Sequence, residues 1–324
     1  MLLAGDVGGT NVRIAAFDNR RRLEPIREAT FASRDYSSLE AILGEFLGSD
    51  TDIDSACFGV AGPVFDGRVT FTNLDWRIEE QALEEVLGCR VRLLNDLQAS
   101  AYGILELEDD AFHVLQDGAP TGNGNVGVIA AGTGLGEAML VWDGARYRAL
   151  PSEGGHVGYA PRNALECDLL THLRERYAGH VSYERVLSGH GLVDLYEFLR
   201  ARSGVAEPAW LTERLRRADR GATIGAVGVE GSDDVCVEAL EIFASIYGAE
   251  AGNLALKCFA TGGVVVTGGI APKILPILVR GAFVSSFNDK GRFREFTERI
   301  PIKIALVSDT ALIGAAHCAR QGIA

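Results

Sequence analysis

Lysine is almost missing from this chain: it occurs only at positions 257, 273, 290 and 303, and none of the four precedes a serine or threonine. A P-loop requires a Gly-Lys-Ser/Thr run after a strand, so that route to nucleotide binding is excluded. Cysteine stands at 57, 89, 167, 236, 258 and 318 but nowhere in C-x-x-C spacing. The zinc-ribbon and thioredoxin patterns are therefore absent, and the thiols read as reduced, mainly buried groups of a reducing compartment. No apolar run is long enough to span a bilayer, and no basic n-region or cleavage site precedes the first strand, which makes the cytoplasm the expected location. Positive charge is also short: 31 Lys+Arg against 44 Asp+Glu leave a net charge of -13. Such a field disfavours nucleic acid and anionic membranes as partners, and an anionic nucleotide would need backbone amides and a metal to offset it.

What is present is enough for a sizeable core. The 324 residues are 47% hydrophobic and 23% charged, a length and balance suited to two domains. The chain opens with an apolar run, Leu2-Leu3-Ala4, that enters Gly5-Asp6-Val7-Gly8-Gly9-Thr10 and leaves as an alternating strand through Phe17. This pattern predicts strand, tight turn, strand. Glycines bring backbone N–H groups together where no Cβ intervenes, and Asp6 projects from the strand end, so the turn suits a phosphate with its metal. A Rossmann turn would lead into a helix instead. Taken alone, the motif reads first as an ordinary hairpin.

Further along, periodicity predicts a strand over 25–31, helices over 36–47 and 78–87, and strands over 55–60 and 90–94. The last delivers Asn95-Asp96 to a strand's carboxyl end, where ligands gather in open α/β sheets. On the residues alone, Asp96 serves equally well as the cap of the helix that follows. Residues 116–125 are rich in Gly, Pro, Asn and Asp and mark the expected boundary between a small α/β domain, 1–115, and a larger one, 116–308. A terminal helix, within 309–324, is expected to pack back on the first domain.

The opening motif then recurs. Val126 to Ala130 is an apolar run that enters Ala131-Gly132-Thr133-Gly134-Leu135-Gly136, and a second strand leaves through Trp142. Two such turns, one opening each half of the chain, point to a duplicated unit that grips one ligand. Pro151-Ser152-Glu153-Gly154-Gly155-His156 sets a carboxylate and an imidazole three residues apart. The later acidic and thiol groups lack metal-ligand spacing, and sugar hydroxyls match this donor and acceptor set better than zinc or iron does. Beyond lie helices predicted over 165–176, 183–187, 192–202, 209–218 and 234–259. Valine-rich 263–267 runs as a strand into Gly268-Gly269-Ile270, and a strand over 302–307 and a helix over 311–320 close the chain.

Gly5-Asp6-Val7-Gly8-Gly9-Thr10, Leu94-Asn95-Asp96, Ala131-Gly132-Thr133-Gly134-Leu135-Gly136, Glu153-Gly154-Gly155-His156, Glu184-Arg185-Val186-Leu187-Ser188-Gly189 and Gly268-Gly269-Ile270 together resemble the bacterial glucokinases, in order and in spacing. The resemblance covers nearly the whole chain. It implies the actin-like ATPase (ribonuclease H-like) fold, two α/β domains flanking a cleft, and ATP-dependent phosphorylation of glucose at its 6-hydroxyl. On that resemblance the ATP phosphates are held by Gly5, Asp6, Val7, Gly8, Gly9 and Thr10 and by Gly132, Thr133, Gly134 and Gly136. Gly268 and Gly269 lie on the adenosine side, and Asp6 holds Mg²⁺ through water. The sugar ligands are Asn95, Asp96, Glu153, His156 and Glu184, with Asp96 as general base. Asn73, after a Phe-Thr pair, is a further candidate for the sugar side, although a turn asparagine reads the same way. A homodimer is also implied.

Two departures touch the sugar side. His190 stands where relatives commonly have proline, and Gly158 stands where an acidic residue often follows Gly-Gly-His-Val. A kinase of the repressor, open reading frame, kinase family, acting on another hexose or an N-acyl hexosamine, is the nearest alternative. Those proteins usually carry a zinc-binding cysteine cluster shortly after Glu-Gly-Gly-His, and here only Cys167 follows before Cys236. A sugar-sensing regulator on the same fold would need a DNA-binding segment ahead of a strand that here begins at residue 2.

Overall fold

Leu2, Leu3, Ala4 and Val7 are buried and Asp6 is partly exposed, so the first strand follows the apolar run read from the sequence. The computed structural model describes residues 1–18, 23–49, 52–71, 74–307 and 309–322. Contacts divide the chain into two units, one made of Met1–Asp109, Arg146–Pro151 and Asp309–Ala324, the other of Asp110–Ala145 and Ser152–Ser308.

The first unit contains β1 (Leu2–Val7), β2 (Asn11–Phe17), β3 (Pro25–Ala32), β4 (Ser55–Val60), β5 (Arg68–Thr70), β6 (Arg77–Glu79) and β7 (Arg90–Asn95). Its main sheet has the order β3-β2-β1-β4-β7, and β5 and β6 form a separate hairpin. Strand β1 is antiparallel to β2 and parallel to β4, which is parallel to β7. Register sets Val7 beside Val60 and Val60 beside Asn95. The turn after β1 and the Asn95-Asp96 pair therefore share one sheet edge, two strand spacings or about 10 Å apart.

Helix Leu39–Leu47 buries Leu39, Ile42, Leu43 and Phe46 and starts at the cap Ser38, whose side chain accepts the Ala41 amide. It begins three residues later than periodicity predicts because a 3-10 turn, Ser33–Asp35, and the extended Tyr36 precede it. Ile78 likewise belongs to β6, and the next helix runs Glu80–Leu87. The terminal helix, Thr310–Gln321, packs on helix Asp96–Ile104 and on β1 and β4. Their approach depends on two glycines: a Cβ on Gly314 would stand 1.7 Å from the Ala99 carbonyl oxygen, and one on Gly103 would stand 1.9 Å from that of Thr310.

Into the second unit fall β8 (Phe112–Gln116), β9 (Val126–Ala131) and β10 (Leu135–Trp142); β11 (Tyr147–Ser152) follows, its residues through Pro151 grouped with the first unit, and then β12 (Gly263–Thr267) and β13 (Ile302–Ala305). The second unit's strands take the order β10-β9-β12-β13-β8. Here β9 and β10 are an antiparallel hairpin, and β12 and β13 add in parallel on the other side of β9. The first unit builds β2-β1-β4-β7 the same way, so the two glycine turns occupy equivalent places in two copies of one pattern.

The boundary expected at 115/116 is corrected: it would cut β8, which pairs antiparallel with β13 and so belongs with the second unit. Arg146–Pro151 also crosses over, so no single boundary before 308 separates the units. The helix predicted over 183–187 is only a 3-10 turn, Tyr183–Arg185, and the strand predicted to 307 ends at Ala305. Helix Arg220–Glu230 lacks a sequence signal because glycines interrupt it. Those glycines admit close neighbours: a Cβ on Gly221 would stand 2.6 Å from the Gly189 carbonyl oxygen, and one on Gly228 would stand 2.7 Å from that of Cys236. Packing thus overrides poor propensity. No helix among the described residues is long and apolar enough to cross a membrane.

Candidate active site

The first unit sets a glycine turn and a helix start on one sheet edge. The Gly8 amide donates to the Asn11 carbonyl over 2.9 Å, closing the turn, and Ser33 fastens it from β3's end by donating its hydroxyl to Gly8 O and its amide to Thr10 O, both at 2.9 Å. Gly8 and Gly9 are half-buried and Thr10 is exposed. Gly5 and Val7 sit within the strand instead: Val7 is fully buried, and a Cβ on Gly5 would stand 2.5 Å from the Phe58 ring. These two shape the turn from beneath.

Asp6 faces Arg13 across the β1–β2 register. Burial pushes its carboxyl above the ordinary value, the Arg13 cation pulls it down, and Asp309 pushes it up again. Arg13 is itself engaged, donating to Asp309 Oδ1 at 2.7 Å and to Glu28 Oε1 at 2.6 Å. Asp6 thus sits where added positive charge would be favourable, which fits a cation beside the turn. No group of three or more His, Cys, Asp or Glu able to hold a metal occurs among the described residues. Mg²⁺ needs no such cluster, since it keeps most of its water and uses one or two carboxylates together with substrate phosphates.

At the end of β7, Asn95 rather than Asp96 is the helix cap: its Oδ1 accepts the amides of Leu97 at 2.9 Å and Gln98 at 3.4 Å, and its Nδ2 donates to Gly62 O at 3.2 Å. Asp96 is the first helical residue, half-buried, and its Oδ1 also accepts the Leu97 amide at 2.8 Å. One carboxylate oxygen is thereby fixed. With Asn95 already capping, the fold does not depend on Asp96 as the sole cap.

The second unit holds the other turn and the polar cluster. The Gly132 amide donates to Gly134 O at 2.8 Å and the Gly189 amide donates to Gly132 O at 2.9 Å. Thr133 is exposed; Gly132, Gly134 and Gly136 are half-buried. Gly268 adopts φ +87°, and a Cβ there would stand 2.6 Å from Ala131 O, so only glycine lets the 268–270 turn lie against the 131–136 turn. The Ile270 amide then donates to Ala131 O at 3.2 Å. Gly269 is exposed beside it.

Glu153, His156 and Glu184 come together. His156 Nε2 lies 3.8 Å from Glu153 Oε2, and its Nδ1 lies 3.9 Å from Glu184 Oε1. Glu153 and His156 are exposed, Glu184 half-buried. Three polar side chains held near one another and open to solvent suit a polyhydroxyl ligand. The Val157 carbonyl accepts the Tyr183 amide at 3.1 Å and the Tyr159 amide donates to Val181 O at 2.8 Å, so the two loops are laced together. His190 is exposed in the first turn of helix Gly189–Ser203, where a proline would also fit, and Gly158 bridges to Ser182. Asn73 lies outside the described residues. Ser33, Asp309 and two buried acids, Glu137 and Glu250, escaped the sequence reading, since each acts through a partner distant in the chain.

The family model described as Glucokinase matches residues 3–322. A glucokinase of Nostoc punctiforme is 40% identical over 99% of both chains, and one of Cronobacter sakazakii is 37% identical over 98% of this chain and 97% of its own. Among solved structures, a glucokinase from an Antarctic psychrotroph superimposes with a TM-score of 0.84 at 33% identity, over 99% of this chain and 98% of that one. A ROK family glucokinase from Streptomyces griseus, solved with glucose and AMPPNP, shares the fold at a TM-score of 0.65 and 24% identity, over 99% of both chains. Because the family model spans residues 3–322 and relatives match over nearly the whole chain, the chain belongs to the glucokinase family and has its actin-like ATPase fold.

Proposed function

We propose that this enzyme transfers the γ-phosphoryl group of ATP to the 6-hydroxyl of D-glucose. The convergence of Glu153, His156 and Glu184 in one exposed cluster, in a member of the glucokinase family, is the observation that carries the reading. Phosphoryl transfer demands little covalent chemistry of a protein; positioning and charge neutralisation do most of it.

In this reading the 8–10 and 132–136 turns cradle the phosphates through amides other than those of Gly8, Gly132 and Leu135, which are bonded within the protein, with Gly268 and Gly269 on the adenosine side. Mg²⁺, when bound, neutralises phosphate charge, and Asp6 is the carboxylate that would hold its water shell. Asn95, Glu153, His156 and Glu184 read the sugar hydroxyls, where an unmatched buried partner rejects analogues that lack one. Asp96 takes the proton of the attacking hydroxyl. The enzyme would act as a homodimer in the cytoplasm.

The test is ATP-dependent ADP release with glucose, fructose, mannose and N-acetyl hexosamines side by side. A clear preference for glucose supports the reading. Preference for an N-acyl hexosamine would replace the substrate, and sugar binding without turnover would favour a sensor.

A further inference from the structure

Glu137 is a buried acid on β10 with no role in the chemistry above. It is 1% exposed, and its Oε1 is a buried atom without a hydrogen-bond partner. A second acid, Glu250 of helix Asp234–Cys258, is fully buried and in hydrogen-bond contact with it. Glu250 is the better served: Lys257 Nζ donates to its Oε1 at 2.9 Å and Asn253 Nδ2 to its Oε2 at 2.8 Å. Two buried carboxyls in contact cannot both carry charge cheaply, so one proton is kept between them, and the acid without a cation of its own keeps it. Burial and the neighbouring Glu250 push Glu137 up to about 8, against the pull of Lys257.

The position of this acid matters more than its protonation. A Cβ on Gly154 would stand 1.9 Å from Glu137 Oε2, and one on Gly155 would stand 1.9 Å from the Leu135 carbonyl oxygen. Leu135 and Glu137 are alternate residues of one strand, hence on one face. The backbone between Glu153 and His156 therefore rests directly on them. The same network reaches the other wall of the cluster, because Asn253 Nδ2 also donates to the Tyr183 hydroxyl at 3.4 Å, next to Glu184.

We infer that Glu137 is a positioning residue for hexose recognition: as a neutral acid donating to Glu250 it sets where the 153–156 loop lies, and its ionisation shifts that loop. The inference rests on the hexose-kinase reading above. Loss of the proton puts two charges under the loop backbone, and the strain falls on Glu153 and His156. Other groups facing the network are Lys257, Tyr183, Tyr247, Cys258, Arg162 and Lys290, which donates to Ala249 O at 2.8 Å and Asn253 Oδ1 at 2.7 Å. Lys290 is held down to about 8 by burial, so it titrates in the same window and must be separated experimentally.

The experiment is calorimetric glucose binding and steady-state kinetics from pH 7 to 9.5 on the wild type, Glu137→Gln, Glu250→Gln and Lys290→Met. Glucose affinity of the wild type should fall about tenfold across that range, one proton being lost on weakening. In Glu137→Gln the fall should shrink to less than about twofold, since the amide still donates to Glu250 but cannot ionise. Glu250→Gln should move the fall to lower pH, and this variant carries the test should Glu137→Gln fail to fold. Lys290→Met should keep it. A flat wild-type profile, a fall that persists in Glu137→Gln or stays in place in Glu250→Gln, or one that disappears in Lys290→Met overturns the inference. Absence of glucose binding by the wild type at pH 7 sinks the hexose reading and this inference together; binding at pH 7 with a flat profile sinks the inference alone.

Discussion

The amide of Leu135 donates to Glu184 Oε2 over 3.1 Å. One carboxylate thus serves two tasks: Oε2 ties down the end of the 131–136 turn, and Oε1 faces His156 at 3.9 Å. The 131–136 glycine turn and the cluster of Glu153, His156 and Glu184 in the second unit are mechanically joined through this side chain.

Glu184→Ala should therefore raise KM for ATP as well as for glucose. The combined loss in kcat/KM should be on the order of 10²-fold, the scale set by small misplacements of reacting groups. Gly134→Ala should produce the same double effect, because its Cβ would stand 2.4 Å from Glu184 Oε2. Steady-state kinetics with each substrate varied in turn decides it; a change confined to glucose would contradict the link.

Asp96→Asn keeps the size of the side chain and an oxygen for the Leu97 amide while removing the base. We expect kcat to drop by roughly 10² to 10⁴ with glucose affinity and thermal unfolding little changed. Substantial turnover in a folded, glucose-binding variant would remove Asp96 from the role of base. Asn95→Ala, by contrast, takes away the cap and should cost about 1 kcal/mol of stability in urea unfolding.

Stability should fall as pH rises from 6 to 8. Glu137 is raised from 4.5 to about 8, so between those values the native state holds a proton that the unfolded chain has lost, and stability falls as pH rises, by at most about 1.4 kcal/mol per unit. Above pH 8 Lys290, lowered from 10.5 to about 8, opposes the fall because the unfolded chain holds the extra proton. The buried thiols of Cys236 and Cys258, raised from 9.0 to about 12 and about 11, continue the fall once the unfolded chain loses theirs. Urea unfolding at pH 6, 8 and 10 measures this. Glu137→Gln should flatten the fall between pH 6 and 8, and Lys290→Met should leave that interval nearly unchanged.

Gly314→Ala should destabilise the first unit by about 1 to 3 kcal/mol, the cost of overpacking, because the terminal helix must retreat from helix Asp96–Ile104. Kinetics should suffer with it, since Asp96 heads the displaced helix. A variant that unfolds as the wild type does would show that the two helices separate without cost.

Much of this was open to a reader of the sequence. Apolar strands running into glycine turns, their recurrence in each half and the absence of a lysine P-loop are local patterns, and local patterns survive in a linear text. Asn95 and Asp96 were found at the right strand end, but the text could not divide the cap from the first helical residue, because both amides and both side chains lie within three positions of each other.

The tertiary structure alone decided the rest. It drew β8 to β13 across the expected boundary, made a helix of the glycine-rich 220–230 segment, and set Glu137 against Glu250 beneath Gly154. Each outcome depends on a backbone or a buried charge meeting a partner far away in sequence. Periodicity records which face of an element is apolar; it does not record which other element will cover that face.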